Sequence, residues 1–379
     1  MKLVKFALVS PIIAIGVAVF AALGAQAEKT INVPGDYAAI ADAVENADPG
    51  DTIAVAAGTY EISNMITVGK FVRITGAGRD KTIITNTATA VVANRTGAVL
   101  YLNDPDAVVE GVTLAGGRYS KGGTPASGGW GAYVAAGTLQ DARVTNCRGG
   151  HDNMNDVDGA AVNVKGANAR VLRTIIDNNV RVNYNTAMGA GLRIDQGTVS
   201  DCLIVNNRGA SGAGVYMAGK DSHLVNCTVA KNRLAANQTN YHGGGLYFAG
   251  TEKGSTIENC IFALNDGNDG ALVGGDEWYA VKSNILAGAM SNCAILKGAA
   301  IGTDPVQLTS IRSWMPKAAT SRSVSAPRAR VLDMRPQRRR VSGAALRRIA
   351  RSRFAERASA SRRFSTGRMA RKAWNTPGV

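Results

Sequence analysis

Five side chains suited to binding recur at one repeated place in the middle of the chain, each two residues after a short glycine-containing segment. Aromatic rings can lie against sugar rings, while amide and guanidinium groups bond hydroxyls and uronate carboxylates. We therefore expect an outward row that binds an extended polysaccharide. The alternative is an ordinary solvent-facing strand, in which tyrosine is simply favoured. The row consists of Tyr133, Asn163, Arg193, Tyr216 and Tyr247.

A second column lies two residues further along the same copies, and it raises the question of catalysis. In a lyase, calcium acidifies the proton beside a uronate carboxylate, and Arg193 or Lys165 would be the base that removes it. Hydrolysis needs two facing carboxylates instead, for which Asp195 with Asp156 or Asp158 is the nearest pair. The column reads Ala135, Lys165, Asp195, Ala218 and Ala249.

Two loops beside these columns add further polar groups. Asp152, Asp156 and Asp158 lie in one acidic segment and carry the oxygen ligands that calcium accepts. The spacing is not that of an EF-hand loop, and the alternative is a solvated acidic loop. In the polar segment 237–242, His242 is a candidate acid or base, or else a solvated loop histidine. The sequence thus predicts these three aspartates as metal ligands and Ca²⁺ as the one candidate cofactor.

An internal repeat predicts the elements that position these residues. Within one copy Val199, Cys202 and Ile204 should all point inward, which a straight strand of period two does not allow. A bend at Asp201 resolves this, because Asp and Asn tolerate left-handed backbone geometry. Copies stacked about 4.8 Å apart form a parallel β-solenoid with a filled interior. The bend position reads Asp141, Arg173, Asp201, Asn226, Asn259 and Asn292.

Four of the five cysteines share one inward position of this repeat. At such a position Cys behaves as a small buried apolar residue, so we expect a ladder of thiols. Equivalent side chains on parallel neighbours point the same way, which disfavours disulfides, and the spacing resembles no zinc pattern. The four are Cys202, Cys227, Cys260 and Cys293.

The N-terminal segment has the layout of a secretory signal peptide. Lys2 and Lys5 precede an apolar run, and Ala25-Gln-Ala27 supplies the small residues of a cleavage site. We predict cleavage after residue 27 and export to the medium, the cell surface or the periplasm, with no membrane span afterwards. The alternative is an uncleaved anchor, because the run is nearly long enough to span a bilayer.

A short helix is predicted next, with Asp36 as its cap and Ile40, Val44 and Ala47 on its apolar face. It would cover the open strand edges at the N-terminal end of the solenoid. Brief strands should follow around residues 53–55, 66–68, 72–74 and 83–84.

The net charge of +15 belongs to the C-terminal tail. Residues 306–379 contain 19 basic and 2 acidic residues, which leaves 24 basic and 26 acidic residues in 1–305. The nearly neutral body argues against nucleic acid as its partner. The tail reads as basic low-complexity sequence, expected to be disordered. We hypothesise that it is translated out of frame.

The stretches Tyr37–Ile53, Ala57-Gly-Thr-Tyr60 and Ile74-Thr-Gly-Ala-Gly78 resemble the opening of right-handed parallel β-helix proteins of the pectate-lyase-like superfamily. The resemblance covers about residues 30–305. It implies that fold, and it implies an asparagine ladder on Asn226, Asn259 and Asn292. This fold hosts lyases, hydrolases, esterases and non-catalytic adhesins, so it leaves the activity open.

Together these observations predict an all-β protein with a signal peptide at 1–27, a single-stranded right-handed parallel β-helix at 28–305 and a tail at 306–379. The leading hypothesis for function is an exported protein that engages a polysaccharide or cell-surface glycan on one strand face. The alternatives are a lyase or hydrolase acting on uronic-acid polymers and a non-catalytic surface or adhesin-like protein.

Overall fold

A computed structural model of the protein describes residues 28–87, 97–118, 129–149, 160–181, 189–209, 211–218, 220–234, 242–250, 254–266, 277–281, 283–296 and 301–308. The predicted signal peptide, the acidic loop with Asp152, Asp156 and Asp158, and the chain beyond residue 308 lie outside these ranges.

Short strands dominate the described chain, with two helices, α1 Ile40–Asn46 and α2 Ser283–Ala289. The strands are β1 Thr30–Val33, β2 Thr52–Val55, β3 Gly58–Ile62, β4 Ile66–Val68, β5 Arg73–Gly76, β6 Thr82–Asn86, β7 Leu100–Glu110, β8 Thr113–Ala115, β9 Ala132–Gln140, β10 Arg143–Thr145, β11 Arg148–Gly149, β12 Val162–Leu172, β13 Ile175–Asp177, β14 Val180–Arg181, β15 Leu192–Ser200, β16 Leu203–Val205, β17 Arg208–Gly209, β18 Val215–Met217, β19 Ser222–Val225, β20 Thr228–Ala230, β21 Arg233–Leu234, β22 Leu246–Phe248, β23 Thr256–Glu258, β24 Ile261–Ala263, β25 Trp278–Ala280, β26 Met290–Ser291, β27 Ala294–Ile295 and β28 Val306–Gln307.

These strands form three parallel sheets in the described residues, and each coil contributes strands to them in turn. The first sheet runs β1-β2-β5-β7-β9-β12-β15-β18-β22-β25, with β4, β19, β23 and β26 also in it. The second runs β3-β6-β8-β10-β13-β16-β20-β24-β27-β28, and the third β11-β14-β17-β21. Each strand therefore pairs with its copy one coil away. The prediction of a right-handed parallel β-helix is confirmed.

The predicted bends have the backbone geometry that the repeat requires. All six bend residues, Asp141 to Asn292, have φ between 48° and 57°. This left-handed region costs most residues energy but suits Asp and Asn. Each bend turns the chain from the first sheet into the second, so that Val199 and Ile204 both point into the core and are fully buried.

The thiol ladder fills one corner of this core. Cys202, Cys227, Cys260 and Cys293 are buried, and none of the cysteines forms a disulfide. Each of the four thiols donates to a carbonyl of the preceding coil at 3.5 to 3.8 Å. The residues that follow these cysteines pair in register from coil to coil, so the four thiols stand in one row. The predicted ladder is confirmed.

Helix α1 closes the N-terminal end, but its cap is not the predicted one. The residue before the helix is Ala39, which makes no side-chain cap. Asp36 instead accepts hydrogen bonds from the backbone and side-chain amides of Asn32, which close a tight turn. Ile40, Ala43 and Val44 are the buried residues of the helix.

The strongest asparagine ladder lies in the core, not at the positions implied by the resemblance. It follows a second left-handed bend, five residues after the first, and its amides bond from coil to coil at 3.0 Å. At the surface, Asn259 donates to Asn226 at 3.2 Å, a weaker contact at the first bend. The core ladder consists of Asn179, Asn207, Asn232 and Asn265, all fully buried or nearly so.

The solenoid continues slightly past its predicted boundary at residue 305. Strand β28 pairs with β27, and Asp304 repeats the left-handed bend with φ of 49°. Neither α1 nor α2, the helices of the described ranges, is long and apolar enough to cross a membrane.

Candidate functional site

The predicted row exists as a register of the first sheet. Asn163 lies opposite Tyr133 on one side and Arg193 on the other, and Tyr216 and Tyr247 continue the row. Tyr101 extends it by one coil towards the N-terminus. Arg193, for example, lies between Leu192 and Ile194, which are both fully buried. Because side chains alternate along a strand, the residues of the row point away from the core.

The row is not the open face that we expected. Tyr133 is 6% exposed, Tyr216 4% and Asn163 1%. Alternation along a strand predicts which way a side chain points, but it does not predict what packs over the outer face. A sugar therefore cannot lie against the rings of Tyr133 or Tyr216 in this conformation, whereas Tyr247 and Tyr101 are partly exposed.

The aromatic rings are engaged with their neighbours. The rings of Tyr216 and Tyr247 stack with centroids 5.3 Å apart and an angle of 13°, and the Cζ atom of Arg193 lies 5.2 Å from the Tyr216 centroid. Tyr101 and Tyr133 meet edge to face at 5.5 Å. These contacts stabilise the row itself.

Asn163 has a structural contact at its place in the row. Its Oδ1 atom accepts a hydrogen bond of 3.0 Å from the backbone N–H of Ala160, which fixes the turn leading into β12. This contact accounts for an amide at this position without a ligand. The role of Asn163 in substrate binding remains a prediction.

Arg193, Asp195 and Lys165 meet beside the stacked tyrosines. The Nε atom of Arg193 donates to Oδ1 of Asp195 at 2.7 Å, and Nζ of Lys165 lies 4.0 Å from Oδ2 of the same carboxylate. The side chains of Arg193 and Asp195 are 12% and 16% exposed, whereas Lys165 is 42% exposed. Two cations thus share one carboxylate, which leaves positive charge at the surface.

The strand register is irregular beside this cluster. Lys165 pairs with Gln196 and not with Asp195, and β12 shifts register on both sides of Lys165. Because β12 also shifts register against β9 after Val164, the second column is wrong in its pairing at Lys165, although Lys165 and Asp195 still lie close together. Irregularities of this kind re-aim side chains and occur often beside functional sites.

The cluster bears on the proposed chemistry. As a base, Arg193 would first have to leave Asp195, because the ion pair stabilises its charged form. As one of two hydrolytic carboxylates, Asp195 would need Asp156 or Asp158, which lie outside the described residues. Lys165 is the most accessible group of the three.

His242 lies at the turn that leads into β22. Its backbone N–H donates to Oγ of Ser211 at 3.3 Å, and its carbonyl accepts from the N–H of Gly212 at 3.1 Å. These bonds join two neighbouring coils. Its role as an acid or base remains a prediction.

A polar network that the sequence pattern did not predict lies on the same sheet. Glu110 accepts from Arg73 at 2.8 Å, from Thr75 at 3.2 Å and from Gln140 at 2.6 Å. Burial alone would raise the pKa of Glu110, but the bonds from Gln140 and Arg73 outweigh it and lower that pKa. Glu110 and Gln140 each directly precede a left-handed bend, at Gly111 and Asp141, and that shared position is the signal that would have found the network.

The network continues across the next coil. Arg173 donates to Gln140 at 2.8 Å and to both carboxylate oxygens of Asp141 at 2.8 and 2.9 Å. The carboxylates of Glu110 and Asp141 are therefore both held by guanidinium groups. Within the described ranges, no three His, Cys, Asp or Glu side chains are placed to hold a metal ion.

No protein-family model and no curated protein matches the chain. Solved structures that it is similar to include three pectin methylesterases. That of Erwinia chrysanthemi is 15% identical over 74% of this chain and 74% of that chain, with a TM-score of 0.36. The rice weevil enzyme is 12% identical over 70% and 88%, at 0.36, and the carrot enzyme 12% over 77% and 91%, at 0.33. At these values the likeness concerns the fold, which the parallel coils already establish.

Proposed function

We propose that this is an exported protein that binds an extended polysaccharide along the outer face of the first sheet. The observation that carries the proposal is the cluster of Lys165, Arg193 and Asp195, in which an exposed ammonium group lies beside a carboxylate that also binds Arg193. Ammonium, guanidinium and carboxylate groups that are partly shielded from water form strong hydrogen bonds with the hydroxyl and carboxylate groups of a sugar chain.

The face around the cluster is polar and accessible. Outward positions of the same sheet carry partly exposed Gln196, Thr198 and His223, whose Nδ1 atom lies 3.0 Å from Oγ1 of Thr256. Because equivalent positions recur about every 4.8 Å along the axis, the face presents donors and acceptors along a line. An extended chain of sugars is a ligand that contacts several coils at once.

Export is supported by the signal-like sequence of residues 1–27. The five free cysteines are all buried, which shields their thiols from oxidation outside the cell. Catalysis by Arg193, Lys165, Asp195 or His242 remains a prediction, and so does calcium binding by Asp152, Asp156 and Asp158.

The test is a glycan-binding screen with the purified full chain, followed by calorimetry on the best ligand. Lys165→Ala and Asp195→Asn should each weaken binding by about three- to tenfold, the range for one charged hydrogen bond at a surface. Lys81→Ala removes the same charge from an exposed turn before the second sheet and should change nothing. Equal affinities for the three variants and the unaltered chain would refute the proposal.

A further inference from the structure

A row of arginines follows the outer side of the third sheet. Arg148 lies opposite Arg118 in one direction and Val180 in the other. Val180 lies opposite Arg208, which in turn lies opposite Arg233. The arginine row, Arg118, Arg148, Arg208 and Arg233, is exposed throughout.

Three of the four charges of this row are not balanced by an ion pair within the described part of the chain. Arg233 forms an ion pair of 2.9 Å with Asp266, the next residue in register. Among the residues that the structure describes, Arg118, Arg148 and Arg208 have no carboxylate within 4.0 Å. Like charges directly opposite each other on neighbouring strands are destabilising.

Composition does not explain the row. Residues 1–305 contain slightly more acidic than basic residues, so four arginines in register are a local concentration. The row lies on a different sheet from Lys165 and Asp195, and it is independent of the site described above.

We infer that the arginine row binds an acidic polysaccharide lying along the solenoid axis. Arg118 and Arg148, like Arg208 and Arg233, stand in register on neighbouring coils whose backbones lie about 4.8 Å apart, close to the length of one sugar unit in an extended chain, and Val180 separates the two pairs. Arg118 with Arg148, and Arg208 with Arg233, each form a pair that can hold one sulfate or carboxylate by bidentate hydrogen bonds. The near-neutral body favours this ligand over nucleic acid, whose binding depends on many phosphate contacts.

The first test locates the contact by arginine-selective labelling of the full chain with phenylglyoxal, read out by peptide mass spectrometry. Dextran sulfate should slow the labelling of Arg148 and Arg208 about threefold, as expected for exposed ion pairs, and neutral dextran should not. Arg173, an exposed arginine at the bend between the first and second sheets, is the internal reference. Protection of Arg173 without Arg148 and Arg208, or protection by a DNA duplex equal to that by dextran sulfate, would overturn the inference.

The second test adds an arginine at the position between Arg148 and Arg208 that Val180 now occupies. Val180→Arg should tighten the binding of dextran sulfate about threefold. Thr228→Arg adds the same charge on the outer side of the second sheet and should have no effect, because it lies outside the row. Equal affinities of the two variants would show that only net charge matters. Lys81→Ala, which lies outside both sites, should leave both results unchanged. Because the labelling is read at each arginine separately, failure of the first-sheet proposal remains distinguishable.

Discussion

The side-chain amide of Asn265 donates a hydrogen bond of 2.6 Å to the carboxylate of Glu277, and both side chains are buried. The Oδ1 atom of Asn265 accepts from Asn232, so this bond is the C-terminal end of the core ladder. A buried amide N–H needs an acceptor. Glu277 supplies it, and the ladder is satisfied along its length.

Replacing this acceptor should destabilise the fold. Glu277→Leu leaves a donor of Asn265 without its partner and should lower the free energy of unfolding by about 1–3 kcal/mol. Glu277→Gln keeps an oxygen at the same place and should cost less. Urea unfolding followed by circular dichroism measures both, with Glu258→Gln on the outer face as control. Equal stability of the leucine variant and the unaltered chain would contradict this.

The fold was predictable because one position of the repeat is chemically distinctive. Asp201, Asn226 and Asn259 mark bends that only a few residue types tolerate, and Cys227 marks the inward position after one of them. The second bend is harder to recognise from the sequence, because Lys231 and Leu264 occupy this position in two of the coils instead of asparagine. The core ladder behind it was therefore missed.

The site was less predictable than the fold for a different physical reason. Register follows from the repeat, so Arg193 and Tyr216 could be placed in one row. Burial of Tyr216 depends on what covers the outer face, and strand alternation carries no information about that. The repeat places Lys165 and Asp195 in one column, but it does not encode the register shift that pairs Lys165 with Gln196.

The burial of Tyr216 leads to a prediction about stability. Its ring is 4% exposed and contacts both Tyr247 and Arg193. Tyr216→Ala should therefore cost about 3–5 kcal/mol of unfolding free energy, as for other large buried rings. Tyr216→Phe keeps the stacking and should cost much less. If the alanine variant had the same melting temperature as the unaltered chain, the ring of Tyr216 would instead be exposed and free to contact a sugar.

Leu264 offers a stabilising substitution. It has φ of 60° and its side chain is 38% exposed, so it combines strained geometry with an apolar surface. Leu264→Asn should raise the free energy of unfolding by about 0.5–1 kcal/mol, because asparagine tolerates this geometry. Val306→Asn, also at an exposed apolar position but in a strand, is the control and should not stabilise. The denaturant midpoints of both variants measure this, and a midpoint for Leu264→Asn no higher than that of the unaltered chain would contradict the prediction.

The thiols should differ in reactivity with position in the ladder. Burial raises the pKa of Cys227 and Cys260 well above the usual range, and that of Cys147 to about 12. A hydrogen bond from Cys260 lowers the pKa of Cys293 near the C-terminal end. Because the thiolate is the reacting form, iodoacetamide should label Cys293 first. Peptide mass spectrometry over time measures the order, and Cys227 labelled before Cys293 would contradict it.

Asp51 should link the stability of the N-terminal end to pH. Burial alone would raise its pKa, but the backbone N–H groups of Lys29 and Asp48, at 3.0 and 2.8 Å, and the Lys29 ammonium outweigh burial and lower it from 3.8. The folded state thus binds the proton less tightly than the unfolded chain. The resulting stability is present above about pH 4 and is lost as pH falls through the folded pKa.

Asp51→Asn removes this charge and should lower the free energy of unfolding at pH 7 by about 1–3 kcal/mol, because hydrogen bonds to a charged acceptor are replaced by weaker ones. Below pH 3.8 the unfolded chain binds a proton at this carboxyl, and the folded chain does so only at lower pH, so the difference between the two proteins should shrink as pH falls. Asp42→Asn, exposed in the first turn of α1, is the control and should show a small difference at every pH. Urea unfolding at pH 7, 5 and 3 measures these differences. A gap between Asp51→Asn and the unaltered chain that stays constant down to pH 3 would mean that Asp51 acts through its shape and not through its charge.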